Sequence, residues 1–399
     1  MPIDTAVVLA AGEGARLRPL TAHRPKPMLP AGDRPILAHV LDALLDAGID
    51  DLHLVVGYGR DRVQDHFGHA YRDHSLTYHH QAQQLGTGHA VLQAADAVDD
   101  DFLVVNGDDV VAADIVADVL TGHADAPEAA ATLGVLETDR APQYGAVELD
   151  GDRVVAIRER PESDHHRLLN LGVYAFTPAI FAEIEATPRR GGEFALPDTI
   201  ARLVDADEPV RGILTEGIWQ DATYPWDLLD LAETVLDSGL VEGPARAEGV
   251  HVAPSAAVHD AATLTPPVVL GPDAVVGPGA VVGPYAAVGR NVTVGTGAVV
   301  ERSVIDDDAR VGRNATAAET VTGQHVRLGD GVVVPGGPGD VRVGDRIHEG
   351  CRLGGLVADR ARLGGGVTVA PGTLIGPDAR VEPGVVVEGR VGDGERVVR

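Results

Sequence analysis

The 399-residue chain has one cysteine, Cys351, which excludes an internal disulfide and any multi-cysteine zinc site. It has one lysine, Lys26; every other basic side chain is arginine. Aromatic residues make up only 4%, so a core must be built mostly from Ala, Val and Leu. No apolar run approaches the ~18 residues that a membrane-spanning helix needs. The N-terminal MPIDTAVVLAAGEG lacks a basic region followed by an apolar stretch and a small-residue cleavage site, so no signal peptide is expected. Positive charge is scarce, with 32 Lys and Arg against 60 Asp and Glu and a net charge of −28. Such a surface repels nucleic acid and anionic lipid, which argues against both as partners. It equally repels an anionic substrate, so any phosphate site has to be locally basic or metal-assisted. A cytoplasmic location is expected. An acidic, lysine-poor chain also suggests a salt-rich (halophilic) cytoplasm, where screening makes self-repulsion tolerable. A GC-rich genome that prefers arginine codons is the alternative, and the two are compatible.

What is present divides the chain in two. Apolar residues reach 44%, and the length allows two or three domains at roughly 100–200 residues each. In the first part, strand-like Ala6–Leu9, Leu52–Val56 and Phe102–Val105 alternate with helix-like Ile36–Ala47, Ala90–Ala97 and Ile115–Leu120. This α/β alternation predicts a mostly parallel sheet with helices on both faces, which collects ligands at the C-terminal ends of its strands. From about Val250 the texture changes. Leu270, Val276, Val282, Val288, Val294 and Val300 fall six residues apart, and Gly271, Gly277, Gly283, Gly289 and Gly295 follow the first five. Leu363, Val369, Ile375, Val381 and Val387 form a second run. This is a hexapeptide repeat, the signature of a parallel β-helix. Between Ala309 and Gly355 the phase slips, which predicts loops or a degenerate section. A helix over 226–240 would bridge the two parts. The domains expected are 1–228, a linker helix at 229–249, and 250–399.

The first candidate site is Leu9–Pro19, LAAGEGARLRP. A strand followed by Gly12 and Gly14 makes a turn whose bare amides can approach phosphate oxygens. A dinucleotide fingerprint would place a third glycine at position 17, where Leu17 stands, and the P-loop pattern also fails. The continuation strengthens the signal: Arg16, then Arg18-Pro19, then Pro25-Lys26-Pro27 put positive charge on the loop and just beyond it. A tight turn with surface arginines is the bland alternative. Lys26 stands between two prolines that stiffen its backbone, and a compact ammonium suits a crowded triphosphate in a way that arginine does not.

These residues resemble the signature of the sugar-1-phosphate nucleotidyltransferases, the nucleotide-sugar pyrophosphorylases. The family string has Thr or Ser where this chain has Ala15. Further matches follow in family order. Gln81–Ala90 (QAQQLGTGHA) is similar to the segment that reads a pyrimidine base, and a Gln amide offers the donor and acceptor that a uracil or thymine edge requires. Asn106-Gly107-Asp108-Asp109 follows a strand, Gln143-Tyr144-Gly145 is similar to a Tyr-Gly turn, and Arg158-Glu159-Arg160-Pro161 to a Glu-Lys-Pro element. Asn170-Leu171-Gly172 and Trp219-Gln220-Asp221 complete the series. The resemblance implies a Rossmann-like nucleotide-diphospho-sugar transferase domain followed by a left-handed β-helix. It implies Arg16 and Lys26 as catalytic residues. Leu9, Ala10, Ala11, Gly12, Gly14, Gln81, Gly86 and Thr87 would hold the nucleotide. Gly145, Glu159 and Asn170 would hold the sugar, and Asp108 and Asp221 would hold Mg²⁺. The substrates implied are UTP or dTTP with glucose 1-phosphate or N-acetylglucosamine 1-phosphate, and the assembly a homotrimer through the β-helix.

Members of the family with this layout include bifunctional enzymes whose β-helix acetylates an amino-sugar phosphate. The corresponding stretch here, Leu328–Gly337, lacks that site's Asn, its upstream His and its lysines. A β-helix that only assembles the protein is therefore the preferred reading. Added glucosamine-1-phosphate acetyltransferase activity and a non-catalytic regulatory or scaffold subunit are the alternatives. His79-His80 and His165-His166 read as surface histidines, and Asp99–Asp101 and Asp306–Asp308 as solvated turns.

Overall fold

The computed structural model describes residues 3–139, 141, 144–159 and 167–398. They form two compact units. One comprises residues 1–13 and 37–219, the other residues 14–36 and 220–399. The chain thus leaves the first unit within the glycine loop and returns to it at Leu37.

The first unit is a ten-stranded sheet with helices. Thr5–Ala10 lies at its middle, parallel to Asp51–Val56 on one side and to Phe102–Asn106 on the other. The helix Ile36–Asp46 makes the first crossover. The chain then builds outward through Asp51–Val56 to His74–His80 and returns across Thr5–Ala10 to lay down Phe102–Asn106. Strand order therefore reverses at Thr5–Ala10, and a reversal opens a crevice beyond the strand ends. The three central parallel strands are buried on both sides, which explains their largely apolar runs, with His53 the one polar residue inside them. Beyond Phe102–Asn106 it becomes mixed: Leu168–Phe176 runs antiparallel to both Phe102–Asn106 and Ala131–Glu137.

In the second unit, Gly14–Ile36 makes three short 3₁₀ turns and a small hairpin, Pro30–Ala31 with Arg34–Pro35. The helix Asp227–Asp237 falls within the helix expected at 226–240. From Val250 onward three parallel sheets of two- and three-residue strands stack into a β-helix. Each coil visits the first, second and third sheet in turn, so an aliphatic residue every six positions points inward. Val252 pairs with Leu270, Val276 with Val294, and Val282 with Val300, each three repeats on. Together the inward Val, Leu, Ile and Ala side chains make one continuous core.

The slipped phase is not a degenerate section. The coils continue through it, but the corner from the third sheet to the first loses one residue twice: Val300 to Ile305, and Ala317 to Thr322. One coil later the same corner carries an inserted hairpin, Pro338–Val343 with Arg346–Arg352, before the repeat resumes at Gly355–Val357. A change of length at one corner shifts the sequence phase and leaves the ladders in register. Among the described residues no helix is long and apolar enough to cross a membrane.

Candidate active site

In the first unit the expected nucleotide loop leaves the central strand at the point of reversal. Leu9 and Ala10 are the last residues of Thr5–Ala10, opposite Asn106 and Val56. Ala11 is buried, and its carbonyl accepts from Gln84 Nε2 at 3.1 Å and from the Tyr58 amide at 3.3 Å. Gly12 is exposed, and a Cβ built on it would meet nothing within 4 Å. Its glycine therefore answers no packing need.

Gln81 is buried, and its amide nitrogen lies 3.0 Å from both the Gly86 carbonyl and His89 Nδ1. Burial and the nearby Arg189 hold His89 below its ordinary pKa, which favours a neutral ring that can accept from Gln81. The amide plane of Gln81 is thereby fixed. Thr87 opens the helix Thr87–Leu92, and its hydroxyl accepts from the Leu196 amide at 2.9 Å, a structural bond.

Asp108 lies half-buried in the turn just past Phe102–Asn106, where the Gly107 amide donates to the Leu9 carbonyl at 3.0 Å. The turn is braced by Asn106 Nδ2, which donates to the buried Asp109 at 3.2 Å. Gly172 has φ +70°, and a Cβ there would stand 2.2 Å from Asn106 Nδ2, so only glycine lets that strand pass.

Of the expected sugar residues, Gly145 opens the strand Gly145–Asp150 and lies opposite Glu159 in its neighbour. Asn170 Nδ2 donates to the Tyr174 hydroxyl at 2.7 Å. Trp219 Nε1 donates to the Leu171 carbonyl at 3.1 Å, and its ring meets Tyr144 edge-on. Gln143, Arg160, Pro161, His165, His166 and the Glu159 side chain lie outside the described residues. His79 is only part-exposed, stacked on the buried His53 with 2.8 Å between ring nitrogens.

The second unit holds the rest. Lys26 begins a 3₁₀ turn, Lys26–Met28, is buried, and pairs through Nζ with Asp221 Oδ1. The hydroxyl of Thr223 donates to the other oxygen of Asp221. Gly14 closes on the lysine from behind: its φ is +64°, and a Cβ there would come 2.8 Å from Lys26 Cβ. Thr21 Oγ1 donates to the Gly14 carbonyl at 2.8 Å. Arg16 is exposed, with its guanidinium 5.8 Å from the centre of the Tyr224 ring, within cation–π range. Tyr224 stacks on Trp226, and both rings meet His348 of the inserted hairpin. Asp227 ties this segment together by accepting from the Thr223 and Tyr224 amides at 3.0 and 2.7 Å. Burial pushes its carboxyl up to about 6.

Asp306, expected in a solvated turn, is buried instead. Its Oδ2 lies 2.6 Å from Arg24 Nη2, and Asp359 Oδ1 lies 3.5 Å from the same nitrogen. Burial pushes Asp306 up to about 6 against the pull of Arg24. The sequence did carry a trace of this: Asp306 follows Ile305 in the place that Gly271 and Gly289 hold after Leu270 and Val288.

A nucleotidyl transferase family model matches residues 5–238, and a model described as GMPPB C-terminal domain matches residues 247–338. The chain is 37% identical over 235 residues to the bifunctional protein GlmU of Methanocaldococcus jannaschii, covering 58% of this chain and 54% of that protein. It therefore spans about half the length of that relative. It is 37% identical over 224 residues to the UTP–glucose-1-phosphate uridylyltransferase AglF of Haloferax volcanii, covering 56% of this chain and 92% of that one. A Streptomyces antibioticus glucose-1-phosphate thymidylyltransferase is 34% identical over 236 residues, covering 58% of this chain and 66% of that protein. Among solved structures, a UDP-glucose pyrophosphorylase from Acinetobacter baumanii superposes with a TM-score of 0.53 at 25% identity, covering 60% of this chain and 94% of that chain.

Proposed function

The chain belongs to the nucleotidyl transferase family, and from that premise we propose that it joins UTP or dTTP to a sugar 1-phosphate. The products are a UDP- or dTDP-sugar and pyrophosphate, and the sugar is glucose or N-acetylglucosamine. The observation that carries this reading is the buried Lys26–Asp221 pair closed in by Gly14, an ammonium and a carboxylate fixed beside a glycine loop. The names of the Haloferax and Streptomyces relatives support a pyrimidine triphosphate and a glucose phosphate.

The reaction is an in-line displacement. A phosphate oxygen of the sugar 1-phosphate attacks the α-phosphorus, the bond to the β-phosphate oxygen breaks, and pyrophosphate leaves. The nucleophile is already an anion at neutral pH, so no general base is required. The work lies in bringing two anions together in a protein of net charge −28 and in stabilising the charge that develops. Lys26 neutralises the reacting phosphates, and Arg16 holds the outgoing pyrophosphate. The amides of Ala11, Gly12 and Gly14 cradle phosphate oxygens, and the open space around Gly12 suits such an approach. Gln81, held by Gly86 and His89, presents a fixed amide to the base. Gly145, Glu159 and Asn170 hold the sugar.

Asp108 and Asp221 are the residues that would hold Mg²⁺. Two carboxylates are a hard oxygen set, and they suit an ion that keeps water and phosphate oxygens as its other ligands. Mg²⁺ supplies Lewis-acid neutralisation of phosphate oxygens when bound. The β-helix would assemble three chains.

A matrix of sugar 1-phosphates against nucleoside triphosphates with Mg²⁺ in high salt, scored by pyrophosphate release, tests the reaction. At least one pairing should turn over, and Lys26→Ala or Asp108→Ala should abolish that turnover with the fold retained. Near-parental turnover in either variant would sink the assignment.

A further inference from the structure

The buried Arg24 sits two residues before Lys26, and the proposed chemistry gives it nothing to do. The residue is 4% exposed, and its guanidinium faces two carboxylates from the same corner of the β-helix two coils apart, Asp306 at 2.6 Å and Asp359 at 3.5 Å. The surrounding coils are built to receive it. At the position after each inward residue of the first sheet the chain has Gly271, Gly289, Gly323, Gly376 and Gly392, with Ala253 and Ala358 the two other small residues; Asp306 alone places a carboxylate there. One coil on, the inward position that elsewhere holds Leu270, Val288, Ile305, Val357 or Ile375 holds Thr322, whose hydroxyl accepts from the Asp306 amide at 3.0 Å. Asp306 Oδ1 accepts from the Asp307 amide at 2.8 Å, and Asp359 Oδ1 accepts from the Gln324 amide at 2.9 Å. Both carboxylates are therefore oriented by backbone amides of the β-helix as well as by the arginine.

A buried ion pair is weak support for stability, because the loss of hydration offsets most of the attraction, and here Arg24 Nε is buried with no acceptor among the described residues. Two departures from the repeat and an orphaned donor are a poor way to stabilise a solenoid. They are a good way to fix where one loop lies. Arg24, Pro25 and Lys26 are consecutive, and the Met28 and Leu29 amides close the turn on the Pro25 and Lys26 carbonyls at 3.0 and 2.9 Å. Fixing the guanidinium therefore fixes the start of the turn that carries Lys26.

We propose that Arg24, gripped by Asp306 and Asp359, is a positioning residue that sets the lysine loop from the β-helix, so that the β-helix is part of the nucleotidyl-transfer machinery. The consequence for catalysis rests on the role given to Lys26 above; the mechanical part does not.

The test uses the full chain. Arg24→Met leaves Asp306 buried without its partner and should lose both stability and turnover. Arg24→Met combined with Asp306→Gly removes the nearer carboxylate and restores the glycine of the repeat, so it should recover most of the thermal stability, with Asp359 keeping its Gln324 amide. Its kcat should nevertheless stay down by about 10-fold or more, because a misplacement on the order of 1 Å costs that much. Lys26 is the only lysine, so modification by an amine-directed reagent, followed by peptide mass spectrometry, reads the loop without any activity. In the double variant that rate should rise several-fold. Parental kcat and parental Lys26 labelling in the stably folded double variant would overturn the proposal. A parent enzyme inactive on every substrate pair would overturn the reaction and leave the labelling rate to decide the latch.

Discussion

Lys26 is held from three directions by residues far apart in the sequence. Asp221 binds its ammonium, Gly14 presses on its β-carbon, and Arg24 anchors the residues before it. As the one lysine among arginines it stood out in the sequence. The resemblance implies that Asp221 is a metal ligand, but it does not imply the pairing with Lys26, because no local spacing encodes a contact across 195 residues. Asp33 shows a different limit. It gives no sign in the sequence, yet it is part-buried, accepts from the Glu242 amide at 2.8 Å, and leaves its other oxygen buried with no donor among the described residues. Burial pushes its carboxyl up to about 6, against ~3.9 in an unfolded chain. The folded protein thus keeps a proton that the unfolded chain has released. The stability linked to that proton is complete below the unfolded value and is lost as pH rises through about 6. Asp33→Asn is neutral throughout, so its melting temperature relative to the parent should climb between pH 4 and pH 7. A difference that stays flat across that window would contradict the assignment.

At the scale of elements, the repeat announced the β-helix, and only its three-dimensional form explained the slip. Every irregularity of length lies at one corner, where Arg302 joins Asp230 at 2.8 Å and also pairs with Glu233, both on the helix Asp227–Asp237. A solenoid accepts such changes because each coil needs only its neighbours' register, which loop length at a corner does not alter. The second sheet carries a feature that the six-residue phase concealed. Outward positions run in register through Thr293, Arg310, Arg327, Arg362, Arg380 and Arg396, so five arginines stack on adjacent strands. Like charges side by side repel, by roughly 0.2–1 kcal/mol for a directly opposed pair, and salt screens them. Arg327→Thr and Arg362→Thr, which copy Thr293, should raise the melting temperature at low salt, with the gain shrinking in molar salt. A gain that persists in molar salt would point to strand propensity instead of charge.

For the whole molecule the question is assembly. The third sheet points Val281, Val299, Thr316, Val333, Thr368 and Val386 outward in one register, and Val386 is 71% exposed. An uncharged ladder of Val and Thr on an otherwise acidic chain suits contact with further copies of itself, and a net charge of −28 per chain makes that contact depend on salt. Light scattering in high salt should give three times the chain mass, and Val333→Asp with Val386→Asp should reduce it to one. A parent that is monomeric at every salt concentration would refute the trimer.

By itself the sequence determined the architecture: α/β alternation, then a six-residue repeat. It also marked the glycine loop and the lone lysine, because periodicity, turn chemistry and a residue's rarity are local properties. Tertiary structure decided what grips that lysine. Lys26 meets Asp221, Arg24 meets Asp306, and Asp306 meets Thr322 only in the folded chain, since burial and ion pairing depend on distance in space. For that reason Asp306 reads as a solvated turn in the string and as a buried anchor in the fold.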